Sequence, residues 1–373
     1  MTAATRPGID AATLLAAWRA AGEVPAEREA VLAEAIRTDA AQERPPLHLR
    51  LLSALGTFLA TLFFLAFLGI SGLISFDSGN GLLVWGIIFL ALGMGLSLAL
   101  NAQPAGLARD MLAQTGFTAL ALGKVMTVGG IMTLAGADRP FTLPAAILAV
   151  TVLTYPVSAS SLDRLLSPYA VAVALIAEIL LRDSLIGDPT AALTLLYAAA
   201  TALAGLLLLP HRAPVALRPV GLAALATMGT IVALIAAGRE VGLGASDVPV
   251  DPRPIAAILT LSLIGLVAWV AGGVAALARP PLMAAVAGIV LLGVIGAPGI
   301  GYALALLILG HALHDTPLRV LGIIALPAFL VLWYYGRDMD FLAKSAALVG
   351  SGLLLLAARA VIALAGWDRE AAP

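Results

Sequence analysis

The sequence predicts an all-α protein, a polytopic transmembrane helical bundle of about twelve spans (about 10 to 12) behind a short cytoplasmic N-terminal segment. Three observations predict it. Hydrophobic residues make up 61% of the 373 residues and charged residues only 12%. Mean hydropathy is +1.03. Apolar runs long enough to cross a bilayer alternate with breaks rich in Pro, Gly and Arg. Each run must be helical, because unpaired backbone groups find no water in hydrocarbon.

Composition excludes several function classes. The net charge of −1 predicts no nucleic-acid partner, since nucleic-acid-binding domains carry a concentrated basic face. The absence of cysteine excludes disulfides and thiolate chemistry. The sequence contains no hydrolase nucleophile motif, phosphate-binding loop or metalloprotease signature, so no catalytic residue, bound metal or cofactor is predicted.

Three segments are expected along the chain. They are a cytoplasmic helical segment at 1–48, a transmembrane helical domain at 49–366 and a short C-terminal tail at 367–373. In the first segment, Asp10 and Gly22 are suited to begin and end one amphipathic helix. We expect a small helical hairpin packed on the cytoplasmic face; a docking site for a partner is the alternative.

Pro, Gly and charged residues separate twelve apolar runs in the second segment. They lie near residues 49–75, 81–100, 111–135, 141–158, 165–181, 190–209, 219–237, 255–278, 282–297, 299–314, 318–335 and 341–365. The region 282–314 is ambiguous, because Gly296 to Gly299 interrupt it and each half is short for a hydrocarbon core of about 30 Å. It is consistent with two short spans, a re-entrant pair or one long kinked helix.

Arginine counts predict the orientation. If the N-terminus is inside, the inner loops hold six arginines and the outer loops five. The segment up to Arg50 and the C-terminal end raise the inner count to fourteen. The positive-inside rule then predicts cytoplasmic N- and C-termini, in the inner (cytoplasmic) membrane of a bacterium.

Ionisable side chains within spans are functional hypotheses, because burying charge in hydrocarbon is costly. Lys124 and Glu178 are two such residues, each 13 residues into a run that should travel outward. At 1.5 Å per residue both lie about 20 Å along their helices, so they could pair. A fixed ion pair, or a Glu178 that reaches the outer interface, is one interpretation; a proton or ion relay is the other.

Two histidines, His311 and His314, mark the predicted inner end of the tenth run. A spacing of three places both imidazoles on one helical face, and paired histidines can bind zinc or shuttle protons. Since no third ligand lies nearby in the sequence, interfacial helix-end residues are the favoured interpretation. Small residues elsewhere, such as Gly129–Gly130 and Gly272–Gly273, are interpreted as close helix packing or hinges.

The C-terminal hairpin places each residue type where a bilayer favours it. Its aromatic cluster should lie at the outer interface, with the following lysine able to snorkel back to it and the last arginine near the opposite interface. A contact by Lys344 and Ser345 with a substrate or partner is the alternative. The motif residues are Trp333, Tyr334, Tyr335, Lys344, Ser345 and Arg359.

The same residues, with Gly352, Leu353 and Leu354 between Ser345 and Arg359, resemble the closing segment of the bacterial membrane family catalogued as domain of unknown function 4401. The first span, RLLSALGTFLATLFFLAFLG, is also similar to that family's opening span. Arg337 departs from the pattern, which expects an apolar residue there. The resemblance covers about residues 45 to 365. It implies an integral inner-membrane protein with many spans, no known activity, and a small protein with a GDY-type motif as a neighbour or partner.

Two function classes follow. One is a permease for a small solute or ion, which the span number, Lys124, Glu178 and the broken 282–314 region support. The other is a non-transporting membrane scaffold or partner subunit in an envelope-associated complex, which the scarcity of intramembrane polar groups supports. The expected partners are the lipid bilayer and a small membrane or envelope protein. The oligomeric state does not follow from the sequence.

Overall fold

A computed structural model of the protein describes residues 78–100, 107–136, 139–181, 188–209, 214–237 and 250–335, with isolated residues between 55 and 71 and between 342 and 360. Those ranges form ten α-helices and two short 3-10 helices, Val215–Leu217 and Val274–Ala278. The α-helices are α1 Gly79–Ala99, α2 Leu107–Ala135, α3 Thr142–Thr154, α4 Ser161–Leu181, α5 Pro189–Leu208, α6 Arg218–Ala237, α7 Arg253–Val270, α8 Pro280–Ile295, α9 Pro298–Ala312 and α10 Thr316–Tyr335.

The predicted helical class is confirmed. Seven of these helices are long and apolar enough to cross a membrane, and α3, α8 and α9 are shorter apolar helices. Many of the exposed side chains on the long helices are large and aliphatic, which suits lipid and is unfavourable in water. The chain is therefore a multi-pass membrane protein. The predicted segments 1–48 and 367–373 lie outside the described residues.

Two predicted runs end earlier than expected, each for a local reason. The run predicted at 141–158 ends as a helix at Thr154, because Pro156 disfavours helical backbone at the residue before it. The run predicted at 255–278 ends at Val270, where Gly272 and Gly273 have φ of +90° and +135°. Among the described residues, a Cβ on either glycine would meet nothing within 4 Å, which contradicts the interpretation of these two glycines as close packing and leaves the interpretation as hinges.

The ambiguous region 282–314 forms two short helices, α8 and α9, rather than one long kinked helix. Gly296 ends α8 in the left-handed conformation, with φ 72° and ψ 47°. Pro298 then opens α9, where its fixed φ and missing N–H suit a first helical position.

The chain divides into two compact units, Met1–Gly136 with Val152–Asp163, and Ala137–Thr151 with Arg164–Pro373. In the first unit, α1 and α2 form an antiparallel hairpin whose axes approach closely. Glycines recur every seven residues along both helices, at 79, 86 and 93 of α1 and at 116, 123 and 130 of α2. A Cβ built on Gly86 would lie 2.6 Å from the backbone nitrogen of Thr127, and one on Gly123 2.6 Å from that of Leu90.

These six glycines form the contact line between α1 and α2, which we call the glycine seam. It explains how the two helices associate although the hydrophobic effect does not drive helices together in lipid. Close backbone approach maximises van der Waals contact between helices in lipid. In a straight α-helix, residues seven positions apart drift slowly around the helix axis. A strict seven-residue repeat therefore stays on the contact line when the two helices wind around each other in a left-handed supercoil. The first unit is thus built on a seam in which the backbone of the facing helix leaves no room for a Cβ at Gly86, Gly93, Gly123 or Gly130.

In the second unit, one apolar core joins α4, α5, α6, α7, α9 and α10. Its fully buried members include Tyr197, Ile255, Ala303 and Leu306, and α5–α6 and α9–α10 form hairpins around it. Tyr302 of α9 reaches α6, where its hydroxyl donates to the Leu225 carbonyl at 2.9 Å. Gly229 makes room for this contact, because a Cβ there would lie 2.6 Å from the Tyr302 hydroxyl.

Candidate functional site

The connection from α3 to α4 lies in the first unit; it is partly exposed, but it buries several polar side chains. After Thr154, residues 155–160 leave the helix, and the amides of Val157 and Ser158 both donate to the Thr154 carbonyl. Thr154 and Ser158 are fully buried. Ser160 then caps α4, since its hydroxyl accepts from the Asp163 amide at 3.4 Å. The break between α3 and α4 therefore places an acidic residue, Asp163, in the protein interior.

That residue, Asp163, meets Lys124 near the middle of α2. The Lys124 ammonium donates to both carboxylate oxygens of Asp163, at 2.6 and 2.8 Å. The two side chains are 14% and 5% exposed. Such charges are tolerated away from water only when they are paired and hydrogen-bonded. The pair is the centre of the candidate functional site.

One turn along α2 from Lys124, Thr127 adds a hydroxyl on the same helical face. Its Oγ1 is buried and has no hydrogen-bond partner among the described residues. It lies against Gly86 of the glycine seam. The site therefore combines a lysine, a carboxylate and a buried hydroxyl beside the tightest part of the α1–α2 contact.

Glu178 lies near the other end of α4, in the second unit, and is 7% exposed. Its Oε1 accepts a hydrogen bond from the Phe141 amide at 2.9 Å, at the start of α3. Phe141 has φ +57°, an outlier for a bulky residue. The hydrogen bonds shown thus give the two predicted relay residues different partners, Asp163 and Phe141. A direct contact between Lys124 and Glu178 stays a prediction.

Sequence reasoning missed Asp163 because it stands in the polar string SASSLDR, which reads as an ordinary loop between spans. A signal was present. Tyr155–Pro156 comes only thirteen residues after the start of α3, and a run broken so early reaches only about 20 Å at 1.5 Å per residue. A run this short predicts that the acid at the start of the following helix lies within membrane depth.

The histidine pair lies at the end of α9, where the helix stops before the second residue. α9 ends at Ala312, and His314 has φ +53°. The Asp315 amide donates to Gly310 O at 2.9 Å and so satisfies a terminal carbonyl of α9. The two imidazole rings still stack, with centroids 6.5 Å apart. Within the described residues no group of three or more His, Cys, Asp or Glu side chains could hold a metal.

The C-terminal motif is only partly described. Trp333, Tyr334 and Tyr335 close α10, and Ser345 is helical. Lys344 and Arg359 lie outside the described residues. The predicted anchoring roles of all six motif residues stay predictions.

A small recess lies between α7, α8 and α9 of the second unit. Its lining includes Thr260, Leu263, Ile289 and Gly293, and it has about 10 Å³ of space for water-sized occupants. That is about enough for one water molecule. The recess is too small to hold a solute.

Comparisons with known proteins match the chain to one protein family and to no individual curated protein or solved structure. A family model, Domain of unknown function (DUF4401), matches residues 46–364. Because this match covers most of the chain and agrees with the expected range, the protein belongs to the DUF4401 family.

Proposed function

We propose that the protein is a proton-coupled permease for a small solute or ion, with Lys124 and Asp163 as its coupling pair. The observation that carries this proposal is the buried ion pair of 2.6 Å at a break between helices. We further propose about twelve spans in a bacterial inner membrane, with the N-terminal segment and both termini in the cytoplasm.

The position of Lys124 along α2 supports a coupling site within the membrane. Lys124 lies near the middle of α2, a helix long and apolar enough to span a bilayer. From the contact with Lys124 we infer that Asp163 and the adjoining end of the α3–α4 connection lie at hydrocarbon depth. Non-helical backbone at that depth is tolerated only where protein buries it or where it lines an aqueous cavity. Discontinuous helices of this kind build the substrate and ion sites of many transporters.

The opposite charges of Lys124 and Asp163 support a role of this pair in coupling. Protonating Asp163, or withdrawing it from Lys124, leaves an ammonium without this counter-ion in a low-dielectric environment. The two states of the pair therefore favour different arrangements of α2 and the start of α4. A proton or a solute that separates the pair can shift that balance, because it interacts differently with the two arrangements.

A proteoliposome assay tests the proposal. The purified full-length protein is reconstituted with an enclosed pH indicator, and amino acids, sugars and monovalent cations are added in turn. We expect at least one of these to drive a change in internal pH. The double variant Lys124→Gln/Asp163→Asn, which removes both charges together, should abolish that change. Proton movement that survives in this variant would refute the role of the pair.

A non-transporting scaffold, with a small envelope protein as its partner, is the second candidate. Close packing favours it, since the glycine seam is shut and the recess beside α7 holds about one water. Co-purification from cross-linked membranes tests it: one small protein recovered in fixed ratio to the chain would support the scaffold. If no solute in the assay above moves protons either, that result would favour the scaffold over the permease.

A further inference from the structure

One end of the second unit carries a group of mostly basic side chains that the proposed permease mechanism does not use. α6 begins there at Arg218, α9 ends at Ala312 and α10 begins at Thr316. We call the group the α6–α10 basic cluster. Its members are Arg218, His311, His314, Asp315 and Arg319.

Asp315 holds the cluster together. Its Oδ2 lies 2.6 Å from Nη2 of Arg218, and its Oδ1 accepts from the Leu318 amide at 3.2 Å as the N-terminal cap of α10. The carboxylate therefore stands at the positive end of α10 and beside the first residue of α6. It fixes the direction of one guanidinium and still leaves the cluster with net positive charge.

The arginines keep donors for a further acceptor. A guanidinium has five N–H groups. The Arg218 side chain is 49% exposed and is held through one nitrogen. Arg319 donates from Nη2 to the Thr316 hydroxyl at 3.3 Å, and its Nε is buried with no hydrogen-bond partner among the described residues. His311 and His314 are both exposed beside them. Such an arrangement suits an anion with several oxygens, such as a phosphate.

Apolar surface adjoins the basic cluster on two sides. Val215, in the 3-10 helix before Arg218, is 85% exposed. The first turns of α10 expose Val320, Ile323 and Ile324, which share one helical face at spacings of three and four. A free phosphate gains nothing from contact with this apolar surface, whereas the acyl chains of a lipid can pack against it.

We propose that the α6–α10 basic cluster binds the headgroup phosphate of an anionic phospholipid, whose acyl chains lie along the exposed face of α10. Arg218 and Arg319 are the main donors, and the two histidines stand at the edge. The proposal does not depend on the permease function.

Native mass spectrometry of the full-length protein tests this site. The detergent-purified protein is offered phosphatidylglycerol and phosphatidylcholine with identical acyl chains in equal amounts. We expect preferential retention of phosphatidylglycerol. Each basic residue near a headgroup contributes about fivefold in affinity. Arg319→Gln alone, which spares the ion pair, should therefore lower that retention about fivefold, and Arg218→Gln/Arg319→Gln about 25-fold. Arg253→Gln, a matched exposed arginine at the start of α7, should leave it unchanged.

Two further arms separate the proposal from its rivals. Asp315→Asn keeps an N-terminal cap and releases Arg218, so phosphatidylglycerol retention should stay the same or rise. A loss as large as that of the arginine variants would show that the Arg218–Asp315 pair only maintains the local structure, and it would overturn the proposal. Thermal unfolding with inorganic phosphate at the same concentration should show a smaller stabilisation than with phosphatidylglycerol. Equal stabilisation by phosphate, or equal retention of both lipids, would also overturn it.

Discussion

The Nζ atom of Lys124 lies 2.6 Å from Oδ1 of Asp163, although 39 residues separate the two in the chain. Lys124 comes from the interior of a long apolar helix, and Asp163 from the first turn after a helix break. Neither side chain has much access to water. Each charge is therefore stabilised by the other, and removing one leaves the other in a worse environment than removing both.

Unfolding measurements on three variants test this interdependence. Breaking a buried pair by losing one partner costs about 3–5 kcal/mol, so Lys124→Gln and Asp163→Asn should each lower the free energy of unfolding by that order. Lys124→Gln/Asp163→Asn should lower it by less than the sum of the two single losses, because no charge is left behind. Denaturant titration in mixed micelles measures all three values.

The control for this cycle is the exposed pair of Arg218 and Asp315, in which Arg218 is 49% exposed. Exposed pairs contribute about 0–1 kcal/mol, so Arg218→Gln should have a small effect on stability. Strictly additive losses at Lys124 and Asp163 would contradict the interdependence of their charges.

Sequence reasoning found one member of the pair and missed the other, for a physical reason. Lys124 stands out because a lysine within an apolar run is costly and therefore rare. Asp163 is flanked by serines, and the same residues would suit a solvated loop. Its burial depends on how early α3 ends and on which helix the connection meets. The second of these is set by tertiary packing, which local sequence does not encode.

The glycine seam yields a second prediction, on two glycines of the same helix. Gly86→Ala places a Cβ 2.6 Å from the backbone of α2, so the helices must separate, which should cost about 1–3 kcal/mol in unfolding free energy. Gly95→Ala is the control, since a Cβ there meets nothing within 4 Å in the part of the chain that the structure describes. It should be neutral or stabilise by up to about 1 kcal/mol through helix propensity. Equal effects of the two variants would contradict the seam.

Two tyrosines of the second unit give the third prediction. Tyr197 is fully buried, and its hydroxyl has no hydrogen-bond partner among the described residues. Tyr302 is also buried, but its hydroxyl bonds Leu225 O. Tyr302→Phe should therefore cost about 1 kcal/mol of unfolding free energy, whereas Tyr197→Phe removes an unsatisfied polar group and should be neutral or stabilising.

Thermal unfolding of the two phenylalanine variants, side by side, checks this contrast. Both changes remove a single oxygen from a buried ring, so the hydrogen bond is the main difference between them. A clear loss of stability in Tyr197→Phe would show that its hydroxyl has a partner. That partner would then be a bound molecule or a residue outside the described ranges.

The positions of positive φ could not be predicted from composition or periodicity. Phe141 and His314 are the two residues other than glycine that the described chain holds at positive φ. Each lies just outside a helix, Phe141 immediately before α3 and His314 two residues after α9, where the direction of the next element fixes the backbone. The sequence shows only a phenylalanine and a histidine there; bulky residues usually avoid this conformation, and histidine adopts it more often than most residues but still in a minority of cases.

Phe141 yields the fourth prediction, an inversion of the usual order of glycine and alanine. A residue with a Cβ in the left-handed region costs about 1–2 kcal/mol. Phe141→Gly should therefore be more stable than Phe141→Ala by about 1 kcal/mol, since both lose the ring and only alanine keeps the strain. At Leu148, an exposed helical position of α3, Leu148→Gly should instead be less stable than Leu148→Ala by about 1 kcal/mol. Unfolding of the four variants under one condition measures both differences. If glycine is the worse residue at both positions, Phe141 does not adopt the left-handed conformation in the membrane, and the Glu178 hydrogen bond must hold a different backbone.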